Sequence, residues 1–294
     1  MKNLSVTAAL LAGSVLACGA PPPDASIDTQ WQDRVIAVAN GDSMHLVHRA
    51  IGRPQVLVFI PGLADTWASY QKLAAALPDS FGFVLVDALG HGSSTKRPGT
   101  IGPERQADAL GHALDSIGVR PFAIIGHSYG GVIAQHYAGA HPELPAVVLM
   151  ATMSTLRGIA SADAYAELAR TIPDTVPDEI LAGQRDSFFG PVEDSVVEPY
   201  ITAARATPGH AWREILTALL QGDTQRFLTD WKPQTLVVMA QQDKLLDSAA
   251  TMALVRALPQ ADTVTIPRTS HAMHWERPDT VGIVLSAFLS RVSR

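Results

Sequence analysis

Only one cysteine occurs in the 294 residues, at position 18. A single thiol cannot close an internal disulfide, and Cys18 precedes the part that can fold, so thiol catalysis is excluded as well. Charge is sparse and of mixed sign: 22 Lys and Arg against 28 Asp and Glu give a formal net charge of −6. No Lys/Arg run breaks that balance, so the phosphate attraction that dominates nucleic-acid binding is missing and no nucleic-acid partner is expected. No apolar run reaches the ~20 residues that a membrane-spanning helix needs. No cluster of His and Asp stands at metal-ligand spacing, so neither a metal nor an organic cofactor is implied. What the chain has is apolar content, 47% of its residues. That suffices for a sizeable core, one domain with an insertion.

The first twenty residues differ from the rest. Lys2 precedes an apolar, small-residue run over 4–16 that is too short to span a bilayer, the pattern of a secretory signal (1–20). Val15-Leu16-Ala17-Cys18 resembles a bacterial lipobox, in which the cysteine becomes the lipidated first residue of the mature protein. Ordinary cleavage after Ala17 or Ala20, with no lipid, is one alternative, and an uncleaved segment that is no signal is the other. The expected location is therefore the cell envelope, as a lipoprotein anchored through Cys18, or the periplasm or medium as a secreted protein. Any membrane contact is expected only through that anchor. Pro21-Pro22-Pro23 and the small polar residues after it form a linker over 21–30.

From residue 31 apolar runs alternate with amphipathic stretches. Residues 35–39 and 44–48 flank Asn40-Gly41, a pair that favours the left-handed turn of a β-hairpin. Residues 55–60 (QVLVFI) read as a strand buried on both faces. Helix 67–77, strand 83–86, helix 103–117, strand 122–125, helix 130–140 and strand 146–150 follow. Residues 154–231 break the alternation: they are alanine-rich and punctuated by Pro173, Pro177, Pro191, Pro199 and Pro208, as several short helices would be. Strand 235–239, helix 248–258, strand 263–266 and helix 280–291 close the chain. This predicts an α/β fold, a mostly parallel sheet with helices on both faces. The core is 31–153 with 232–294, and a helical cap over 154–231 roofs the carboxyl ends of the strands, where open α/β sheets bind ligands.

Gly126-His127-Ser128-Tyr129-Gly130-Gly131 stands between a strand and a helix. This is the G-x-S-x-G elbow in the context it requires. The turn is too sharp for a Cβ two residues either side of the serine. It lifts the Ser128 hydroxyl over the sheet at a helix N-terminus, which favours the negative charge of acyl transfer. A serine hydroxyl needs a base. Of the 10 histidines, His271 lies in a loop just past the last strand and is the candidate. His274 is its local rival, and His127 reads as a neighbour of the nucleophile. The base needs a carboxylate. Asp243 lies just past the 235–239 strand, at the same end of the sheet as Ser128. Asp247 suits capping the next helix, and Asp87, before a Gly-His-Gly loop, suits fixing that turn. The backbone N–H groups of Leu63 and Tyr129 are the candidate oxyanion donors.

FIPGLADTW, LVDALGHGSS, IIGHSYGG, VVMAQQDKL and SHAMHWERPD together resemble the α/β-hydrolase superfamily over about 55–150 and 235–278, nearly all of the chain outside the cap. The resemblance implies an eight-stranded sheet and a Ser-Asp-His triad, in that chain order, on Ser128, Asp243 and His271. A serine nucleophile argues against the haloalkane-dehalogenase and epoxide-hydrolase branches, which use a carboxylate there. The expected activity is that of a carboxylesterase-like serine hydrolase. Its partner would be a small-molecule ester or lactone, of apolar character if the cap aromatics Phe188, Phe189, Tyr200, Trp212, Phe227 and Trp231 line a pocket. The same residues could instead pack the cap onto the body. C–C bond hydrolysis and cofactor-free perhydrolysis on the same scaffold stay open, as does a non-catalytic binding lipoprotein.

Overall fold

The computed structural model describes residues 29–99, 101–186, 188, 193–246 and 248–294. The N-terminal segment with Cys18, most of the linker, Phe189, Pro191 and Asp247 lie outside the described residues.

Strands β1 (Gln32–Ala37), β2 (Ser43–Arg49), β3 (Val56–Ile60), β4 (Gly82–Val86), β5 (Ala123–His127), β6 (Ala146–Met150), β7 (Gln234–Ala240) and β8 (Asp262–Ile266) form one sheet in the order β1-β2-β4-β3-β5-β6-β7-β8. β2 runs antiparallel to both its neighbours, and the remaining pairings are parallel. Between β1 and β2 the chain turns through Asn40 (φ 64°) and Gly41 (φ 75°), the left-handed pair that Asn-Gly supplies at little cost. Antiparallel pairing thus ends at β2, and the parallel part begins where the buried apolar runs begin.

Those runs are apolar throughout because both faces of the sheet are covered. In β3, Val56, Val58 and Ile60 enter one core while Leu57 and Phe59 enter the other. Helices α2 (Pro103–Ser116) and α3 (Tyr129–Ala140) cover the first face, with Leu110, Leu114 and Ile133. Helix α1 (Gln71–Ala75) and the C-terminal helix (Pro278–Val292) cover the second with Leu73, Leu285 and Phe288. Each such aliphatic or aromatic side chain contributes about 1.5–3 kcal/mol by leaving water. The sheet is therefore the rigid part, and the loops at its carboxyl edge are placed by it.

Between β6 and β7 lie helices α4 (Ala162–Thr171), α5 (Asp178–Asp186), α6 (Asp194–Ala206), α7 (Gly209–Gln221) and α8 (Gln225–Leu228). Pro199 does not punctuate this region as its sequence position suggests: α6 runs through it. Pro199 is the sixth of its 13 residues, so the Ser195 carbonyl loses its helical partner, and burial of Val197, Tyr200 and Ile201 offsets that loss. The single helix expected over 67–77 is also divided, into a 3-10 turn (Trp67–Tyr70) and α1. There the Ser69 hydroxyl donates to the Thr66 carbonyl and tightens the first turn. Helices α9 (Ser248–Ala257), α10 (Met273–Glu276) and α11 (Pro278–Val292) complete the chain.

The helices between β6 and β7 have a small core of their own, including Ile172, Leu181, Phe188, Tyr200 and Trp212. Ala64, Ala272 and Trp275 belong to the same cluster, so this layer is seated on the loops after β3 and β8. Of the aromatics in this segment, Phe188, Tyr200 and Trp212 are buried in that core. Trp231 packs partly buried on the main one, and Phe227 lies against Gly139.

Candidate active site

Ser128 links β5 to α3 with φ 51° and ψ −120°, a conformation that a side chain rarely adopts. The surroundings enforce it. A Cβ on Gly126 would stand 2.3 Å from the Gly130 carbonyl oxygen, and one on Gly130 would stand 2.2 Å from that of Ile60. Ser128 N–H donates to Met150 O (2.9 Å) and its carbonyl accepts from Thr152 Oγ1 (2.7 Å), which ties both sides of the turn to the end of β6. Strain held this way, by backbone that cannot yield, is the kind that persists at reactive residues.

Gly62 lies against this turn, since a Cβ there would be 3.2 Å from Ser128 Cβ. The loop after β3 thus passes beside the serine, closed by Asp65 N–H to Gly62 O (3.3 Å), with Leu63 inside the turn. Tyr129 opens α3, so its N–H has no acceptor within the helix. Both candidate oxyanion donors are on segments that flank Ser128.

Asp243, beyond β7, accepts from His271 Nδ1 through both carboxylate oxygens (2.8 and 3.0 Å). Its Oδ1 also accepts the Leu245 and Leu246 N–H groups (3.0 and 2.8 Å). Burial works against its charge, but His271 and these two amides outweigh it and hold the carboxyl below its ordinary range. With Nδ1 donating, Nε2 of His271 carries the lone pair. Ser128 and His271 line one cavity beside the helices between β6 and β7, whose apolar wall includes Leu63, Met153, Trp212, Leu216 and Leu246. In this conformation the Ser128 hydroxyl makes no hydrogen bond with the described residues.

The rival residues have other partners. Asp87 fixes its loop, accepting from Trp67 N–H (2.9 Å), Ser93 N–H (2.9 Å) and His45 Nδ1 (2.8 Å). His274, in α10, is wholly buried. It stacks on Tyr70 (4.9 Å between centroids) and turns Nε2 to Asp65 Oδ2 at 3.4 Å. Burial first, and the charge of His271 second, lower the His274 pKa to about 3.

Asp65 is the feature that the sequence did not disclose. It lines the same cavity, is 2% exposed, and accepts from the Thr66 N–H (2.8 Å). The Trp275 indole acts on it without a hydrogen bond of good geometry. Among the described residues no Lys or Arg pairs with it, and burial raises its pKa to about 7. Its only sequence signal is a carboxylate in the loop after a buried strand, which an ordinary turn would share. Among the described residues no group of three or more His, Asp or Glu could hold a metal ion.

Comparison with known proteins gives the arrangement its family. Residues 57–282 match the alpha/beta hydrolase family. The chain belongs to that family. A pimeloyl-[acyl-carrier protein] methyl ester esterase of Xanthomonas campestris is 26% identical over 252 residues, 82% of this chain and 97% of that protein. A serine hydrolase-like protein of Danio rerio is 30% identical over 160 residues, 51% of this chain, and this alignment spans only 48% of that protein's length. A hydrolase of Pseudomonas aeruginosa has the same fold, with a TM-score of 0.78 at 24% identity over 88% of this chain and 98% of that one. The eight-stranded, mostly parallel sheet is the alpha/beta hydrolase sheet, and the chain is an enzyme of hydrolase type.

Proposed function

We propose that this hydrolase cleaves carboxylic esters or lactones of small apolar substrates through an acyl-enzyme on Ser128. The observation that carries the reading is the pairing of Asp243, at 2.8 Å, with His271, which lines the same cavity as Ser128. His271 Nε2 takes the Ser128 proton as the hydroxyl attacks the ester carbonyl. The Leu63 and Tyr129 N–H groups hold the oxyanion, assisted by the N-terminus of α3. Collapse of the tetrahedral intermediate expels the alcohol with the proton from His271. Water activated by the same imidazole then releases the acid.

The apolar wall favours an uncharged acyl or alcohol group. Among the described residues that line the cavity there is no Lys or Arg to neutralise an anionic tail. The test is labelling by a fluorophosphonate, followed by turnover of an ester and lactone panel. Ser128→Ala should abolish labelling and lower kcat on the order of 10⁴-fold or more. Near-normal ester turnover by that variant removes the serine from the mechanism.

A further inference from the structure

His127 is the last residue of β5 and stands directly before the nucleophile. Its backbone is held in the sheet opposite Met150. Its ring is buried and points across 144 positions of sequence to the loop of the candidate base, where Nε2 lies 2.8 Å from the backbone carbonyl oxygen of His271. A carbonyl only accepts, so Nε2 carries the proton and Nδ1, which has no partner, carries the lone pair. The ring is wedged in place by the His271 ring on one side (4.8 Å between centroids) and the His274 ring on another (4.4 Å). Gly62 leaves it room: a Cβ there would stand 3.1 Å from Nδ1.

The remaining polar ties of the base loop run elsewhere. Thr269 O accepts from Gln242 N–H (3.0 Å), beyond β7, and Thr269 Oγ1 donates to Ile266 O (2.8 Å), within β8. Ser270 N–H donates to Glu276 (2.9 Å), in α10, and the His271 side chain goes to Asp243. These fix the loop to the acid's side of the sheet and to itself. The His127 bond is the tie to the nucleophile's own strand.

We propose that His127 is a positioning residue: its neutral imidazole donates to the His271 carbonyl and so keeps the base in register with Ser128 during acyl transfer. The inference rests on the acyl-enzyme reading given above. The ring must stay uncharged for this role, since an imidazolium 4.8 Å away would oppose the positive charge that His271 gains in the transition state. Burial above all lowers the His127 pKa well below its ordinary value, and the two neighbouring imidazoles act in the same direction. Loss of the donor would leave a buried carbonyl unpaired and free the loop to drift, and proton transfer from Ser128 tolerates little drift.

The experiment compares His127→Phe, His127→Gln and His127→Asn in the full chain. The glutamine amide can place a donor where the imidazole Nε2 was, whereas the shorter asparagine amide reaches only the Nδ1 position. With p-nitrophenyl butyrate, His127→Phe and His127→Asn should lose about 10- to 100-fold in kcat, the range that one buried hydrogen bond sets, with KM within about threefold. His127→Gln should recover to within about fivefold of wild type, and fluorophosphonate labelling should slow in the same order. A kcat within about threefold of wild type for His127→Asn, or glutamine no better than asparagine, overturns the proposal. Should the phenylalanine variant not fold, the glutamine and asparagine pair decides alone. Wild-type protein that the fluorophosphonate does not label sinks the acyl-enzyme reading, and this inference with it; labelled wild type with insensitive variants sinks the inference alone.

Discussion

Replacing Asp65 by Asn should make the fold sensitive to acid in a way that the wild type is not. Asp65 moves from an ordinary pKa of 3.8 to about 7 in the folded protein, and His274 beside it moves from 6.5 to about 3. In the unfolded chain at pH 5 both are charged: the carboxylate has lost its proton and the imidazole has gained one. In the folded chain at pH 5 both are neutral. Folding therefore moves a proton from one to the other without taking any from solvent, and stability has no net slope from this pair. Separately each slope is steep. As pH falls from 7 to 4, Asp65 takes up its proton more readily in the folded state and adds about 3 kcal/mol of stability. Over the same range His274, whose folded pKa is depressed, binds its proton only when unfolded and removes about 3 kcal/mol.

Asparagine in place of Asp65 deletes the first contribution and keeps the second, because the lowered pKa of His274 comes from burial and His271 and not from Asp65. Urea unfolding of both proteins at pH 7, 6, 5 and 4 should show the variant losing about 3 kcal/mol more than wild type over the range. A constant offset at all pH values is expected and irrelevant, as the amide makes a different contact with His274. His91, Tyr70 and Tyr200, the other titratable groups that act on Asp65 or feel its charge, remain in both proteins. Profiles that stay parallel to within about 1 kcal/mol would refute the exchange.

On the proposed mechanism, Asp243→Asn removes the charge that the imidazolium would need and leaves the shape. It should lower kcat on the order of 10³- to 10⁴-fold with little change in KM, measured by steady-state ester hydrolysis. Because the Asp243 pKa is lowered in the folded protein, its stabilising contribution is complete above the unfolded value of 3.8 and fades only as pH falls through the folded one. Asp243→Asn should therefore cost less stability at pH 3 than at pH 7 in the same urea assay. We propose export with lipidation at Cys18, so metabolic labelling with an alkynyl fatty acid should tag the wild type and not Cys18→Ala. A mature N-terminus at position 18 or 21 without any label would show plain cleavage instead.

The strands were legible because their physics is local. A run such as QVLVFI has almost no face to spare for water, so only a doubly covered strand fits it, and β3 starts one residue after the run does. The elbow was legible for the same reason, since glycine is demanded by atoms at most a few residues or one strand away. What was not legible depends on distance. The placement of β4 between β2 and β3 is a crossover that no local pattern records. Asp65 looks like any turn residue in GLADT. Its raised pKa comes from burial, and its partner His274 stands 209 positions later. His274 carried the opposite signal: its place in SHAMHWERPD made it a competitor for the base, whereas the fold gives it a carboxyl of its own.

The seating of the cap links specificity to chemistry. Tyr200 and Trp212 line the cavity and also pack in the cluster that contains Ala64, Ala272 and Trp275. Ala64 lies next to Leu63 in the turn that would hold the oxyanion, and Ala272 lies next to His271. On the proposed mechanism, side chains that line the substrate cavity share a core with residues of both loops that would act on the carbonyl. Fully burying such a side chain is worth about 1.5–3 kcal/mol, and a truncation leaves a cavity into which a loop can relax. One kcal/mol spent on displacing either loop is already about fivefold in rate. On the proposed mechanism the helices between β6 and β7 would be part of the catalytic scaffold, and a change of substrate preference written into α6 or α7 should be read in kcat as well as in KM.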